Sequence, residues 1–168
     1  ESATGAWPDK AVATMDRIAM AVERDSLYRG IITAQRYEPN PTSADAISGA
    51  ARTISETLNL SAIVCYTGSG STGVRMSRER PDTPVIALTP IAATARRLAL
   101  VWGLHCVLTD DATDLDDMVS RATRIAFDEG FSEPGQRIII TAGVPLGTPG
   151  ATNMLRIAYV GKGGAAGN

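Results

Sequence analysis

The segment SAIVCYTGSGSTGVRMSRER (residues 61–80) decides which fold this chain is expected to have. Residues 61–67 form an apolar run of the length of a buried β-strand, and residues 71–80 suit a helix. Glycines and hydroxyl-bearing residues fill the short loop between them. A strand, a tight turn and a helix in direct succession are typical of α/β proteins with a parallel sheet.

The same alternation continues along the chain. Further strands are predicted at residues 84–90, 103–109, 136–143 and 153–161, with helices over 42–58, 89–101 and 113–129. The last connection is too short for a helical crossover, so the fifth strand should be antiparallel. The prediction is a three-layer α/β/α domain with a mostly parallel five-stranded sheet in the order 3-2-1-4-5.

The sequence outside this domain divides into three pieces. Residues 1–24 contain a helix that begins at Pro8, with apolar residues at three- and four-residue steps. Residues 25–42 show no clear period and are predicted to be a linker. Residues 43–161 form the α/β domain, and the glycine-rich residues 162–168 are predicted to be a flexible tail.

Composition excludes two classes of partner. A formal net charge of −2 gives no reason to expect nucleic acid or an anionic membrane surface, and no apolar run is long enough to cross a bilayer. Cys65 and Cys106 each lie in an apolar run and are interpreted as buried thiols in neighbouring strands of a reduced, cytoplasmic protein, with a disulfide as the alternative.

Two glycine-rich loops follow strands one and four. With the predicted strand order, loops 67–73 and 142–153 meet at the edge of the sheet where such proteins bind ligands. Backbone N–H groups, hydroxyls and a helix N-terminus suit phosphate, but the first loop has no lysine to assist phosphoryl transfer. In the first loop Gly68, Gly70 and Gly73 let the backbone N–H groups converge, and Thr67, Ser69, Ser71 and Thr72 offer hydroxyls; the second loop contributes Gly143, Gly147 and Gly150.

Two alternatives remain open for this region. Small residues also form tight strand-to-helix turns without binding anything. The arginines that follow the loop either add charge to the site or face water; they are Arg75, Arg78 and Arg80.

No catalytic or metal-binding set of residues is predicted. His105 has no histidine companion and is interpreted as structural or surface-exposed. An acidic cluster precedes the predicted helix 113–129, where carboxylates are favoured by the helix dipole; its members are Asp110, Asp111, Asp114, Asp116 and Asp117. Helix capping and a solvated face therefore explain the cluster.

Three stretches together resemble the carboxyl-terminal domain of bacterial pyruvate kinases. ESATGAWPDKAV (1–12) resembles the end of the catalytic barrel in that family. The segment 44–90, from ADAISGAAR to PVIALTP, resembles the family's helix, first strand, effector loop and second strand. TAGVPLGTPGATNMLRIAYVG (141–161) resembles its glycine-proline loop and last strand.

The resemblance implies a division of labour. The parent enzyme would transfer phosphate from phosphoenolpyruvate to ADP in glycolysis, using magnesium and potassium, with catalytic residues in a barrel that precedes Glu1. The helix of residues 1–24 would be a remnant of that barrel. This chain would bind no cofactor and be inactive alone. The alternative is a stand-alone small-molecule binding module with the same fold.

The resemblance also implies a regulatory role. The family's carboxyl-terminal domain contributes to homotetramer contacts and binds a phosphorylated effector, whose phosphate subsite matches Thr67 and residues 69–72. Members that bind fructose 1,6-bisphosphate often have a basic residue where Gly68 stands, and Trp or Arg in the second loop, where this chain has Val144, Pro145 and Leu146. The expected effector is therefore a sugar monophosphate or AMP, and the alternative is an unregulated enzyme with a bare anion site.

Overall fold

The computed structural model describes residues 1–35, 38–146 and 151–167, and the chain divides into two compact units, residues 1–38 and 39–168. The first unit contains helices α1 (Pro8–Glu23) and α2 (Ser26–Ala34). Pro8 is the first residue of α1, as predicted. No side chain of either helix is buried, and α1 and α2 therefore expose their apolar residues.

Helix α2 lies within residues 25–42, which were predicted to be a linker without a clear period and for which no helix was expected. The Asp25 carboxylate accepts a hydrogen bond from the Leu27 N–H at 2.8 Å and caps a new helix directly after α1. The β-branched residues and the glycine of this stretch have low helix propensity, which is why no helix was predicted, and the cap stabilises its first turn.

The second unit is built on a six-stranded sheet in the order β3-β2-β1-β4-β5-β6. Its strands are β1 (Ala62–Tyr66), β2 (Val85–Thr89), β3 (Leu104–Leu108), β4 (Arg137–Ala142), β5 (Met154–Val160) and β6 (Ala166–Gly167). The first four strands are mutually parallel, and β5 is antiparallel to β4. The predicted fold class and the order of the first five strands are confirmed.

Strand β6 was not predicted. The glycine-rich end, expected to be a flexible tail over residues 162–168, forms a 3-10 turn at Lys162–Gly164 and then pairs with β5. Gly163 and Gly164 have φ angles of 63° and 78°, which glycine adopts without strain. These glycines form the tight turn that reverses the chain between β5 and β6.

Four helices cover the sheet: α3 (Ser43–Leu58), α4 (Ser71–Arg78), α5 (Ala92–Leu98) and α6 (Leu115–Asp128). Alternate residues of β1 point to opposite faces, so Val64 and Tyr66 pack in one core with α6. Ile63 and Cys65 pack in a second core with α3 and α4. Helix α5 packs against β2 and β3 through the fully buried Leu98.

The first residues of α3 and α6 agree with the predicted helices, whereas that of α5 does not. The Thr42 hydroxyl accepts the Asp45 N–H at 3.2 Å and caps α3, which agrees with the helix predicted over residues 42–58. Asp114 caps α6 by accepting two backbone N–H groups, which agrees with the interpretation of the acidic cluster. The start of the helix predicted over residues 89–101 is wrong: Thr89 ends β2, its hydroxyl accepts the Ile91 N–H at 3.3 Å, and α5 begins only after that turn.

The two cysteines are free thiols and are not in neighbouring strands. Cys65 in β1 and Cys106 in β3 both lie in register with Ala87 of the intervening β2. Cys65 is buried and Cys106 only partly so, which corrects the prediction of two buried thiols in adjacent strands.

Over the described ranges, none of the helices is long and apolar enough to cross a membrane.

Candidate functional site

A cleft of about 500 Å³ lies at the carboxyl edge of the sheet, where strands β2, β1 and β4 end side by side. Helix α5 and four loops line it: the loop after β1, the turn into α5, the loop after β3 and the loop after β4. The lining residues are Tyr66, Thr67, Gly68, Ser69, Pro90, Ile91, Thr94, Arg97, Asp111, Ala142, Gly143 and Leu146. This is the edge at which open α/β sheets bind ligands.

The loop after β1 is a tight turn that starts helix α4. The Thr67 hydroxyl accepts the Gly70 N–H at 2.8 Å, and Gly70 has a φ of 89°. A Cβ on Gly70 would lie 3.1 Å from Leu98 and 3.3 Å from Thr94, so only glycine fits this position without strain. Ser71 is then the first residue of α4, whose first N–H groups have no partner within the helix.

The predicted phosphate-binding residues of this loop lie together, but they do not have equal access to the cleft. Thr67 and Ser69 line it, whereas Gly70, Ser71 and Thr72 form the adjacent helix start. Ser69 Oγ donates to Ser71 Oγ at 3.0 Å, and neither serine is buried. The Thr72 hydroxyl is buried and lies 2.8 Å from the hydroxyl of Thr152.

The second loop contributes Gly143 to the cleft. A Cβ on Gly143 would lie only 2.2 Å from the carbonyl oxygen of Ala151, so the backbone of the returning chain passes directly over this glycine. The predicted site residues Gly147 and Gly150 lie outside the described residues.

Two of the three arginines that follow the loop contact other side chains. Arg75 Nε lies 3.1 Å from Asp45 Oδ1 at the start of α3, and the Arg80 guanidinium lies 4.1 Å from the centroid of the Trp102 ring. Arg78 is exposed, and none of the three lines the cleft.

Helix α5 supplies two polar side chains that the sequence analysis missed. The Thr94 hydroxyl donates to the Gly68 carbonyl at 3.0 Å, and the Arg97 guanidinium donates to the Ser69 carbonyl. These residues are three apart on the helix that follows β2, so they share a face next to the loop after β1. That spacing was the only signal available in the sequence.

Two ionisable groups at the carboxyl end of β1 remain neutral. Burial raises the pKa of the Cys65 thiol to about 12, although a hydrogen bond from Thr141 opposes the shift. Burial also raises the pKa of Tyr66, whose hydroxyl donates to the Met118 carbonyl at 2.8 Å. These side chains therefore support the site without carrying charge into it.

Replacing Thr152 with valine is expected to lower the free energy of unfolding by about 1–2 kcal/mol, because the buried Thr72 hydroxyl loses its partner. The double variant with Thr72→Val should be destabilised by about 1 kcal/mol less than the sum of the two single variants. Urea unfolding of the wild type, both single variants and the double variant measures this coupling. Strict additivity would show that the hydroxyl pair contributes nothing.

Comparisons with known proteins define the class of this domain. The family model described as "Pyruvate kinase, alpha/beta domain" matches residues 45–158. Proteins named pyruvate kinase from Methylorubrum extorquens, Agrobacterium vitis and Clostridium acetobutylicum are 56%, 38% and 36% identical to the chain over 160, 161 and 160 residues. These matches cover 95%, 96% and 95% of this chain.

The same matches cover only 34% of each of the three relatives, so the chain spans about a third of their length. The fold and the family match together define an α/β domain of the pyruvate kinase type. The chain belongs to the pyruvate kinase family and comprises the carboxyl-terminal alpha/beta domain.

Proposed function

We propose that this chain is the effector-binding and subunit-contact domain of a cytoplasmic pyruvate kinase. The observation that carries the proposal is the Thr67–Thr72 turn, which starts α4 beside a cleft of about 500 Å³ in a chain of this family. A phosphorylated metabolite binds with its phosphate at Ser69, Gly70, Ser71 and Thr72. Transfer of phosphate from phosphoenolpyruvate to ADP, with its magnesium and potassium, belongs to the remainder of a longer protein.

The first unit supports a place within a longer protein. Helices α1 and α2 bury no side chain, and Trp7, Ile18 and Leu27 are 60%, 59% and 73% exposed. Apolar helix faces in stable proteins are normally covered. Packing of these faces against parts of the parent enzyme accounts for their composition.

The chemistry of the cleft supports an effector with one phosphate. Gly68 offers no side chain where a cation would be needed, and Leu146 gives the second loop an apolar side chain in the cleft. A sugar monophosphate or AMP therefore fits better than a bisphosphate.

Contacts between copies of this domain would join the parent enzyme into a homotetramer.

A stand-alone binding module is the second candidate, because residues 39–168 contain a complete sheet with a core on each face. The two functions differ in what ligand binding changes. A regulatory domain requires that pyruvate formation by the longer protein responds to the ligand bound here, whereas a stand-alone module requires no such response.

The proposal is tested by titrating the chain with fructose 6-phosphate in a calorimeter and by locating the bound phosphate in a crystal. We expect saturable binding at one site, phosphate density beside Ser69–Thr72, and no pyruvate from phosphoenolpyruvate and ADP. Absence of binding for fructose 6-phosphate, glucose 6-phosphate and AMP would contradict the effector site. Pyruvate formation by the pure chain would contradict the division of labour.

A further inference from the structure

We propose that Arg97 and Asp111 select the ligand of the cleft: Arg97 contacts the single phosphate of a phosphomonoester, and Asp111 accepts hydrogen bonds from the hydroxyls of its sugar. This inference rests on the proposed function, because it assumes that the turn after β1 binds phosphate. It adds two residues from other elements of the domain, and it gives each a defined part in recognition.

The position of Arg97 is unusual for a cation. Its Nη2 atom donates to the Ser69 carbonyl and lies 3.2 Å from where a Cβ would stand on Gly70, the residue before α4. The N-terminus of a helix is its positive end and disfavours a neighbouring cation. A bound anion would contact both groups and convert this repulsion into attraction.

Arg97 forms no ion pair with any carboxylate in the described part of the chain. Arg75 differs in this respect, because Asp45 already neutralises it. One N–H of the Arg97 guanidinium is used by the Ser69 carbonyl, which fixes the group at the turn and leaves further donors for a phosphate.

The charges along the cleft favour a ligand with one anionic end. Among the described residues that line it, Arg97 is the one cation and Asp111 the one carboxylate. Pro90, Ile91, Ala142 and Leu146 supply apolar surface, and the volume of about 500 Å³ suits a small ligand. A carboxylate accepts hydrogen bonds from sugar hydroxyls and repels a second phosphate.

Calorimetric titrations of the full chain with fructose 6-phosphate and fructose 1,6-bisphosphate test both parts. We expect Arg97→Gln to weaken binding of the monophosphate at least about tenfold, and Arg97→Lys to weaken it less. Arg96→Gln is the matched control, because Arg96 is exposed on the same helix and does not line the cleft; its effect should stay within about twofold. Thermal melting of each variant verifies that it is folded.

The second part concerns the preference of the cleft for fructose 6-phosphate over fructose 1,6-bisphosphate. The wild type should prefer the monophosphate, and Asp111→Asn should reduce this preference about tenfold by removing the repulsion of the second phosphate. Wild-type affinity of Arg97→Gln for fructose 6-phosphate would overturn the role of Arg97 and leave the proposed function intact. An unchanged preference in Asp111→Asn would overturn the role of Asp111. Absence of wild-type binding for fructose 6-phosphate, glucose 6-phosphate and AMP alike would overturn the proposed function as well.

Discussion

Replacing Gly143 with alanine is expected to lower the free energy of unfolding by about 3 kcal/mol. The new Cβ would lie 2.2 Å from the carbonyl oxygen and 2.9 Å from the carbonyl carbon of Ala151. Both atoms belong to the backbone and cannot rotate away. The chain must therefore move, although β4 and β5 are paired up to Ala142 and Met154.

Gly68→Ala is the matched control for this variant. Gly68 lies in the other loop of the same cleft, and a Cβ there would have no heavy atom within 4 Å. The free energy of unfolding of Gly68→Ala should be within about 0.5 kcal/mol of that of the wild type. Urea unfolding followed by circular dichroism compares the two, and equal stability of both variants would show that the returning chain does not approach Gly143.

The second large effect concerns binding. Ser71→Asp is expected to weaken fructose 6-phosphate binding more than about 100-fold, because a carboxylate at the first residue of α4 repels the phosphate and competes for the same N–H groups. The same carboxylate interacts favourably with the positive end of the helix, so the melting temperature should stay equal or rise slightly. Loss of binding without loss of stability separates recognition from folding.

Ser120→Asp provides the control for the change in net charge. Ser120 is exposed on α6 and does not line the cleft. The affinity of the Ser120→Asp variant for fructose 6-phosphate should stay within about threefold of that of the wild type at physiological ionic strength. Calorimetry measures both variants, and wild-type affinity of Ser71→Asp would place the phosphate away from the start of α4.

The sheet could be predicted because its buried strands are nearly continuous apolar runs. AIVCY of β1 is buried along its whole length, and VIALT of β2 is buried in the same way, so both stand out from their surroundings. Strand β6 and helix α2 lack such a signal. The first is two residues long, and the second contains Gly30 and β-branched residues while burying none of its side chains.

The cleft was only partly predictable for a different reason. Thr67–Thr72 are contiguous, so their chemistry can be recognised in the sequence. Arg97 and Asp111 come from other elements, and only the three-dimensional arrangement brings them to the loop after β1. The partner of Arg75 was equally hidden, because Asp45 lies thirty residues earlier and meets it only where α3 packs on α4.

The side chain of Asn153 closes the base of the loop between β4 and β5. Its side-chain amide accepts the Val144 N–H at 2.8 Å and donates to the Val144 carbonyl at 2.6 Å, which adds one rung beyond the last backbone pair of β4 and β5. Insertions that keep Leu146 and residues 151–153 in place would leave that hydrogen-bonded pair intact, since doubling a loop costs only about 0.6 kcal/mol. Under the proposed function, the length of this one segment would therefore be a means of altering which ligand the cleft accepts.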